Sequence, residues 1–184
     1  VVWGVGKFNN NRDDVTYVEC ESELHLIKEF LIFWETHQPD IITGWNTEFF
    51  DIPYLCNRIK NLCGEDEIKI QGVAHLDYFD LYRKFTYTAQ ESYRLDHIAF
   101  VELGERKDGN PYETFKDWYT KDFQSFIEYN IMDVEIVDKL EDKMKLIELC
   151  LTMAYDAKVN YMDVLGSTKY WDILIYNYLH KKKI

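Results

Sequence analysis

Apolar positions recur at two different periods along this chain of 184 residues, and the changes of period divide it into strands and helices. Val1 to Phe8 and Val15 to Val18 read as two strands around a polar turn, Asn9-Asn10-Asn11-Arg12-Asp13-Asp14. From about Ser22 the spacing lengthens. Leu24, Ile27, Leu31 and Trp34 share one helical face, and that helix ends before Pro39. Asp40-Ile41-Ile42-Thr43-Gly44 predicts a short buried strand stopped by glycine. Pro53 suits the first turn of the next helix, which carries Leu55, Ile59 and Leu62 inward and stops at Gly64. Val73 to Phe79 predicts another strand, Leu95 to Leu103 a short helix closed by Gly104, and Asp108-Gly109-Asn110-Pro111 a turn. A long helical pattern with one break runs from about Asp122 to about Ala157, and Tyr170 to Leu179 is helical again. Strands alternating with helices predict an α/β fold, a sheet with helices on its faces. Residues after about Leu146 are expected to be all helix and to lead toward a neighbouring domain.

Composition narrows the function classes. Apolar residues make up 47% and aromatic ones 16%, enough for a packed core rather than a disordered tail. No apolar run approaches the roughly 18 residues of a membrane helix. Val1-Val2-Trp3-Gly4 has no basic stretch of the signal-peptide kind, and a start on a strand-like run without Met reads as a piece of something longer. Cys20, Cys56, Cys63 and Cys150 form no CxxC pair and have no histidine at zinc spacing, so reduced cytoplasmic thiols are expected. The formal charge of −12 argues against a general nucleic-acid binder. It leaves room for an enzyme whose carboxylates hold cations against phosphate.

Two acidic residues stand out physically. Asp51 follows the Asp40 to Gly44 strand and a loop, at or just before a helix N-terminus; on its own residues the ordinary helix cap is the favoured reading of that position. Asp133 falls on the stripe of Phe126, Asn130, Val137 and Leu140, the face expected to be buried, while Glu128 and Glu135 point away. A lone carboxylate there requires a hydrogen-bond partner or a cation. Tyr129, one turn earlier, can serve the same pocket.

Gly44-Trp45-Asn46 followed by Phe50-Asp51-Ile52-Pro53-Tyr54 resembles the second exonuclease motif of family B DNA polymerases, and Tyr129-Asn130-Ile131-Met132-Asp133 resembles the third. Leu76-Asp77-Tyr78-Phe79-Asp80-Leu81-Tyr82 and Ser92-Tyr93-Arg94-Leu95-Asp96 are similar to the joining segment in T4-like phage (myovirus and cyanophage) polymerases, and the resemblance continues through Trp171-Asp172. It implies a fragment holding most of a 3'–5' proofreading exonuclease domain of ribonuclease H-like fold over residues 1–146, with 147–184 leading toward the polymerase palm. It also implies two-metal hydrolysis of a 3'-terminal phosphodiester with Mg²⁺ or Mn²⁺. Asp51 and Asp133 would be metal ligands, Tyr129 would position the attacking water, and Asn46 and Phe50 would lie against the strand end. The implied partners are a single-stranded DNA 3' end, the remainder of the polymerase and a sliding clamp, in the cytoplasm of an infected bacterial host.

The family's first motif, an Asp-x-Glu that supplies two further carboxylates, is not found in this sequence. Glu19-Cys20-Glu21 is read as solvated charge at a helix entry. The chain is therefore expected to cleave little on its own. Two other readings stay open: a non-catalytic subunit of a split polymerase, and an exonuclease fold kept only for interactions. The linker from Gly64 to Val73 looks too short for the long hairpin that some relatives carry there. Asp77 and Asp80 are expected on opposite faces of a strand in structural roles, no histidine is assigned a role, and Lys181-Lys182-Lys183 reads as a solvated end.

Overall fold

The computed structural model describes residues 1–64, 72–106 and 109–183. Strands β1 (Val2–Gly4) and β2 (Tyr17–Glu19) pair with each other, and β3 (Ile41–Ile42) pairs with β4 (Ala74–His75). Helices fill most of the remainder: α1 (Glu23–His37), α2 (Asp51–Cys63), α3 (Tyr78–Phe85), α4 (Leu95–Leu103) and α5 (Phe115–Lys121), then α6 (Phe123–Met144), α7 (Leu146–Ala157), α8 (Tyr161–Leu165) and α9 (Ser167–Lys182). The chain is thus a mixed α/β protein with short strands. Among the described residues those strands form two separate pairs.

Both pairs are parallel, with Val2 opposite Tyr17 and Ile41 opposite Ala74. For β1 and β2 this excludes a simple hairpin around the polar segment, because a tight turn joins antiparallel strands. The connecting segment is carried across to α6 before it returns. The Asn9 N–H donates to Gln124 Oε1 at 2.9 Å, Gln124 Nε2 donates back to the Asn9 carbonyl at 3.2 Å, and Arg12 pairs with Glu135. Trp3 then packs edge-on against Phe30 and Phe33 of α1, at 5.8 and 5.0 Å.

Several helices start and stop where capping chemistry places them. Ser22 accepts from the His25 N–H at the head of α1, and Gly64 and Gly104 close α2 and α4 in the left-handed region. Asp122 caps α6, and the expected break falls at Lys145, φ 55° and ψ 40°. The Glu141 carboxylate spans that break, accepting from the Ile147 N–H at 3.1 Å and the Glu148 N–H at 3.4 Å. Gly166, which ends α8, leads directly into α9.

One expected strand needs correction. Only Ala74 and His75 of the Val73 to Phe79 run pair as a strand, and Tyr78 and Phe79 open α3. Asp77 causes the switch by accepting the Phe79 N–H at the helix N-cap. Tyr78, Leu81, Tyr82 and Phe85 then fall at helical spacing, the first three of them buried. The Asp40 to Gly44 strand is also less buried than expected, with Ile41 and Ile42 half-buried and Thr43 exposed. Most of the Gly64 to Val73 linker, and part of the turn at Asp108, lie outside the described residues.

The core joins α3, α4, α6, α7 and α8 around Leu76, Tyr78, Leu81, Tyr82, Ile98 and Leu140. Cys150, Ala154, Ala157, Val164 and Tyr170 belong to the same cluster, so residues beyond Leu146 pack on the core that carries β4 and α6. All four cysteines are free thiols, and burial pushes the Cys150 thiol up to about 11. Among the described residues no helix is long and apolar enough to cross a membrane.

Candidate active site

The end of β3 and the face of α6 form the two walls of one cleft of about 550 Å³. Thr43, Gly44, Trp45, Thr47 and Asp51 supply the first wall, and Asn130, Asp133, Val137, Asp138 and Glu141 the second. Asp51 and Asp133, distant in sequence, therefore face one space. The site lies beyond the carboxyl end of a strand of a parallel pair, where α/β folds place their ligands.

Asp51 is the first residue of α2; the N-cap is Phe50, which makes no side-chain cap bond, so the capping reading of Asp51 does not describe it. Its carboxyl titrates above the ordinary 3.8. Desolvation within the cleft is the main cause, and the negative charges of Asp77 and Asp133 add to it. The sign follows from linkage. A raised carboxylate pKa stabilises the fold fully below the ordinary value, and that stability is lost as pH rises through the raised value. An NMR titration of the Asp51 side chain is expected to show a midpoint above 3.8, moving down in Asp133→Asn. A midpoint at or below 3.8, or one indifferent to residue 133, would contradict this placement.

Asp133 is half-buried on α6, with Asn130 one turn before it and Val137 one turn after. The deepest stripe of α6 is rotated from the expected one. It runs through Ile127, Ile131, Ile136, Val137 and Leu140, leaving Asn130 exposed at the cleft.

The remaining expected site residues are not all gathered there. Tyr129 does not line the cleft; its ring packs on Trp118 at 4.7 Å and Phe115 at 6.3 Å. Asn46 is exposed, in the left-handed region at φ 61°, where asparagine is the most tolerant residue after glycine. Phe50 is 66% exposed and lies nearly parallel to Tyr54, with ring centroids 6.4 Å apart. Together with Phe49 they make an exposed aromatic patch at the head of α2, beside Asp51. Glu19 and Glu21 are exposed on either side of buried Cys20, as solvated charge should be.

Sequence reasoning passed over Asp138 and Glu141, which extend the acidic wall of α6, and gave His75 no contact, although its Nε2 lies 2.8 Å from Thr47 Oγ1. The signal for the acidic wall was present, since Glu141 stands two turns beyond Asp133 on a recognised helix. Two carboxylates lining one cleft suit a divalent cation, which would offset both the desolvation that chiefly raises Asp51 and the repulsion that adds to it. Among the described residues no group of three or more His, Cys, Asp or Glu side chains is placed to hold a metal.

Residues 6–66 match the model of the exonuclease domain of family B DNA polymerases. The DNA-directed DNA polymerase of Escherichia phage RB69 is 37% identical over 92% of this chain, and that of Enterobacteria phage T4 is 34% identical over 91%. A DNA polymerase of Orgyia pseudotsugata multicapsid polyhedrosis virus is 28% identical over 73% of the chain. The chain spans about a fifth of the length of the two phage relatives, 21% of each. By these matches it belongs to the family B DNA polymerases, in the exonuclease region that it shares with the T4-like phages.

Proposed function

We propose that this chain forms the 3'–5' proofreading exonuclease portion of a replicative DNA polymerase. The observation that carries the reading is the meeting of Asp51 and Asp133 across one cleft. A ribonuclease H-like arrangement over residues 1–146 would set β3 and α6 on either side of the strand end. Residues 147–184 would lead toward the polymerase palm, anchored on the shared core through Cys150, Ala154 and Val164. Mg²⁺ or Mn²⁺ at the site would supply charge stabilisation for hydrolysis of the terminal phosphodiester.

Within this chain, Asp51 and Asp133 would hold the cation and Trp45 would shield one side of the cleft from water. Phe50 would offer its exposed ring to a terminal base and Asn46 its amide to the strand. Tyr129, held against Trp118, would reach the attacking water only with substrate in place. The substrate would be a single-stranded DNA 3' end. The rest of the polymerase and a sliding clamp would be the protein partners, in the cytoplasm of the phage host. With two carboxylates, the 184 residues alone would cleave little.

Mn²⁺ titration followed by electron paramagnetic resonance tests the reading. The chain is expected to bind Mn²⁺, and Asp51→Asn or Asp133→Asn to weaken binding by about tenfold or more, about 1.4 kcal/mol. Cleavage of 3'-labelled single-stranded DNA in Mn²⁺ should be faint. Equal Mn²⁺ affinity in the parent chain and both variants would overturn the assignment.

A further inference from the structure

Among the described residues one charged side chain is buried, Asp77, at 2% exposure. A buried carboxylate is costly unless donors surround it, and Asp77 is surrounded. Its Oδ1 accepts the N–H of Asn46 at 2.9 Å and that of Phe79 at 3.0 Å. Its Oδ2 accepts the N–H of Glu48 at 3.0 Å and lies 3.5 Å from Thr47 Oγ1. One side chain thus caps α3 and also fixes three consecutive residues of the loop between β3 and α2. That loop continues directly into Asp51, and the Thr47 carbonyl accepts the Ile52 N–H at 3.0 Å. Asn46 is held at a positive φ within it. Gly44 completes the tight path, since a Cβ there would stand 2.3 Å from the Thr47 methyl.

We infer that Asp77 is a positioning residue for the exonuclease site: it clamps the Asn46–Glu48 loop so that Asp51 faces Asp133. The inference rests on the proposed cation-holding role of Asp51 and extends it to a residue that touches neither cation nor DNA. It also accounts for a carboxylate where a neutral residue would not serve. Every group it meets is a donor, so both oxygens must accept. Asparagine can keep the α3 cap and the Asn46 N–H bond with its oxygen, but its NH₂ then confronts the Glu48 N–H. The Glu48 end of the loop is released while the helix stays capped.

The test compares the parent chain with Asp77→Asn and Asp77→Ser. Serine is a good N-cap but too short to reach the loop, so it keeps a folded protein even where asparagine does not. Two readouts are taken on folded protein, amide hydrogen exchange and affinity for Mn²⁺ alone. Both variants are expected to exchange the Glu48 amide at least about tenfold faster, and Asp77→Ser the Asn46 amide as well, with α6 amides unchanged. Mn²⁺ affinity should fall by about tenfold, the effect seen when residues behind metal ligands are lost. Faster loop exchange with unchanged Mn²⁺ affinity would make Asp77 merely structural and overturn the inference. Unchanged exchange would overturn the clamp itself. Absence of Mn²⁺ binding in the parent chain would refute the cation-holding reading, and the exchange data would still decide on the clamp.

Discussion

Replacing Trp118 with alanine is expected to cost about 3–5 kcal/mol, the range for deleting a buried indole. Trp118 is 3% exposed and stands at the centre of an aromatic cluster, 5.9 Å from Phe126 and 4.7 Å from Tyr129. Its Nε1–H donates to Ser125 Oγ at 2.6 Å, and the Ser125 N–H is in turn held by the capping Asp122. The substitution therefore removes ring contacts and also leaves the first turn of α6 without one of its ties to α5. In a thermal melt the midpoint should fall by roughly 10 °C for a chain of this size. Trp118→Phe should recover much of the loss, because it keeps the ring volume and gives up only the hydrogen bond. A shift of less than about 2 °C in the alanine variant would show that the cluster contributes little.

The same cluster explains where the sequence was readable and where it was not. Helices α1, α2, α4, α6 and α9 announce themselves because each carries a long enough apolar face, a cap, or both. The α6–α7 break was visible as a pattern too long for one uninterrupted helix. Helix α5 is too short to show a period. Its one written signal is local: Thr114 accepts the Asp117 N–H at 3.0 Å and donates to the Asp117 carboxylate at 2.6 Å. Missing α5 meant missing Trp118 as a packing partner of Tyr129.

The Val73 to Phe79 run failed for a related reason. Alternation suggested a strand, but a carboxylate that caps Phe79 and also bonds Asn46 and Glu48 cannot be inferred from its own neighbours. Nor could the parallel pairing of β1 and β2, which depends on Asn9, Arg12 and Gln124 meeting across the fold. The site's two carboxylates were legible as chemistry from their motifs. Their convergence is a property of how α6 lies across the end of β3.

That position depends on the apolar floor under α6, and Leu140→Ala tests it. Leu140 is fully buried, two turns along from Asp133, packed with Leu76, Tyr78 and Leu81 in the central cluster. Truncating a leucine in such a place is expected to cost about 2–5 kcal/mol, a fall of roughly 10 °C in the melting midpoint. Val134, 71% exposed on the same helix, provides the contrast: Val134→Ala should change stability by no more than about 0.5 kcal/mol. The cavity under Leu140 should also let α6 settle away from β3, separating Asp133 from Asp51. The Asp51 titration midpoint should then move down toward 3.8, in the direction of Asp133→Asn, although no charge has been removed. A destabilised Leu140→Ala variant with an unmoved Asp51 midpoint would show that the cleft geometry is set by the β3–α2 loop alone. A variant melting with the parent chain would show that the floor of α6 is not where the stability resides.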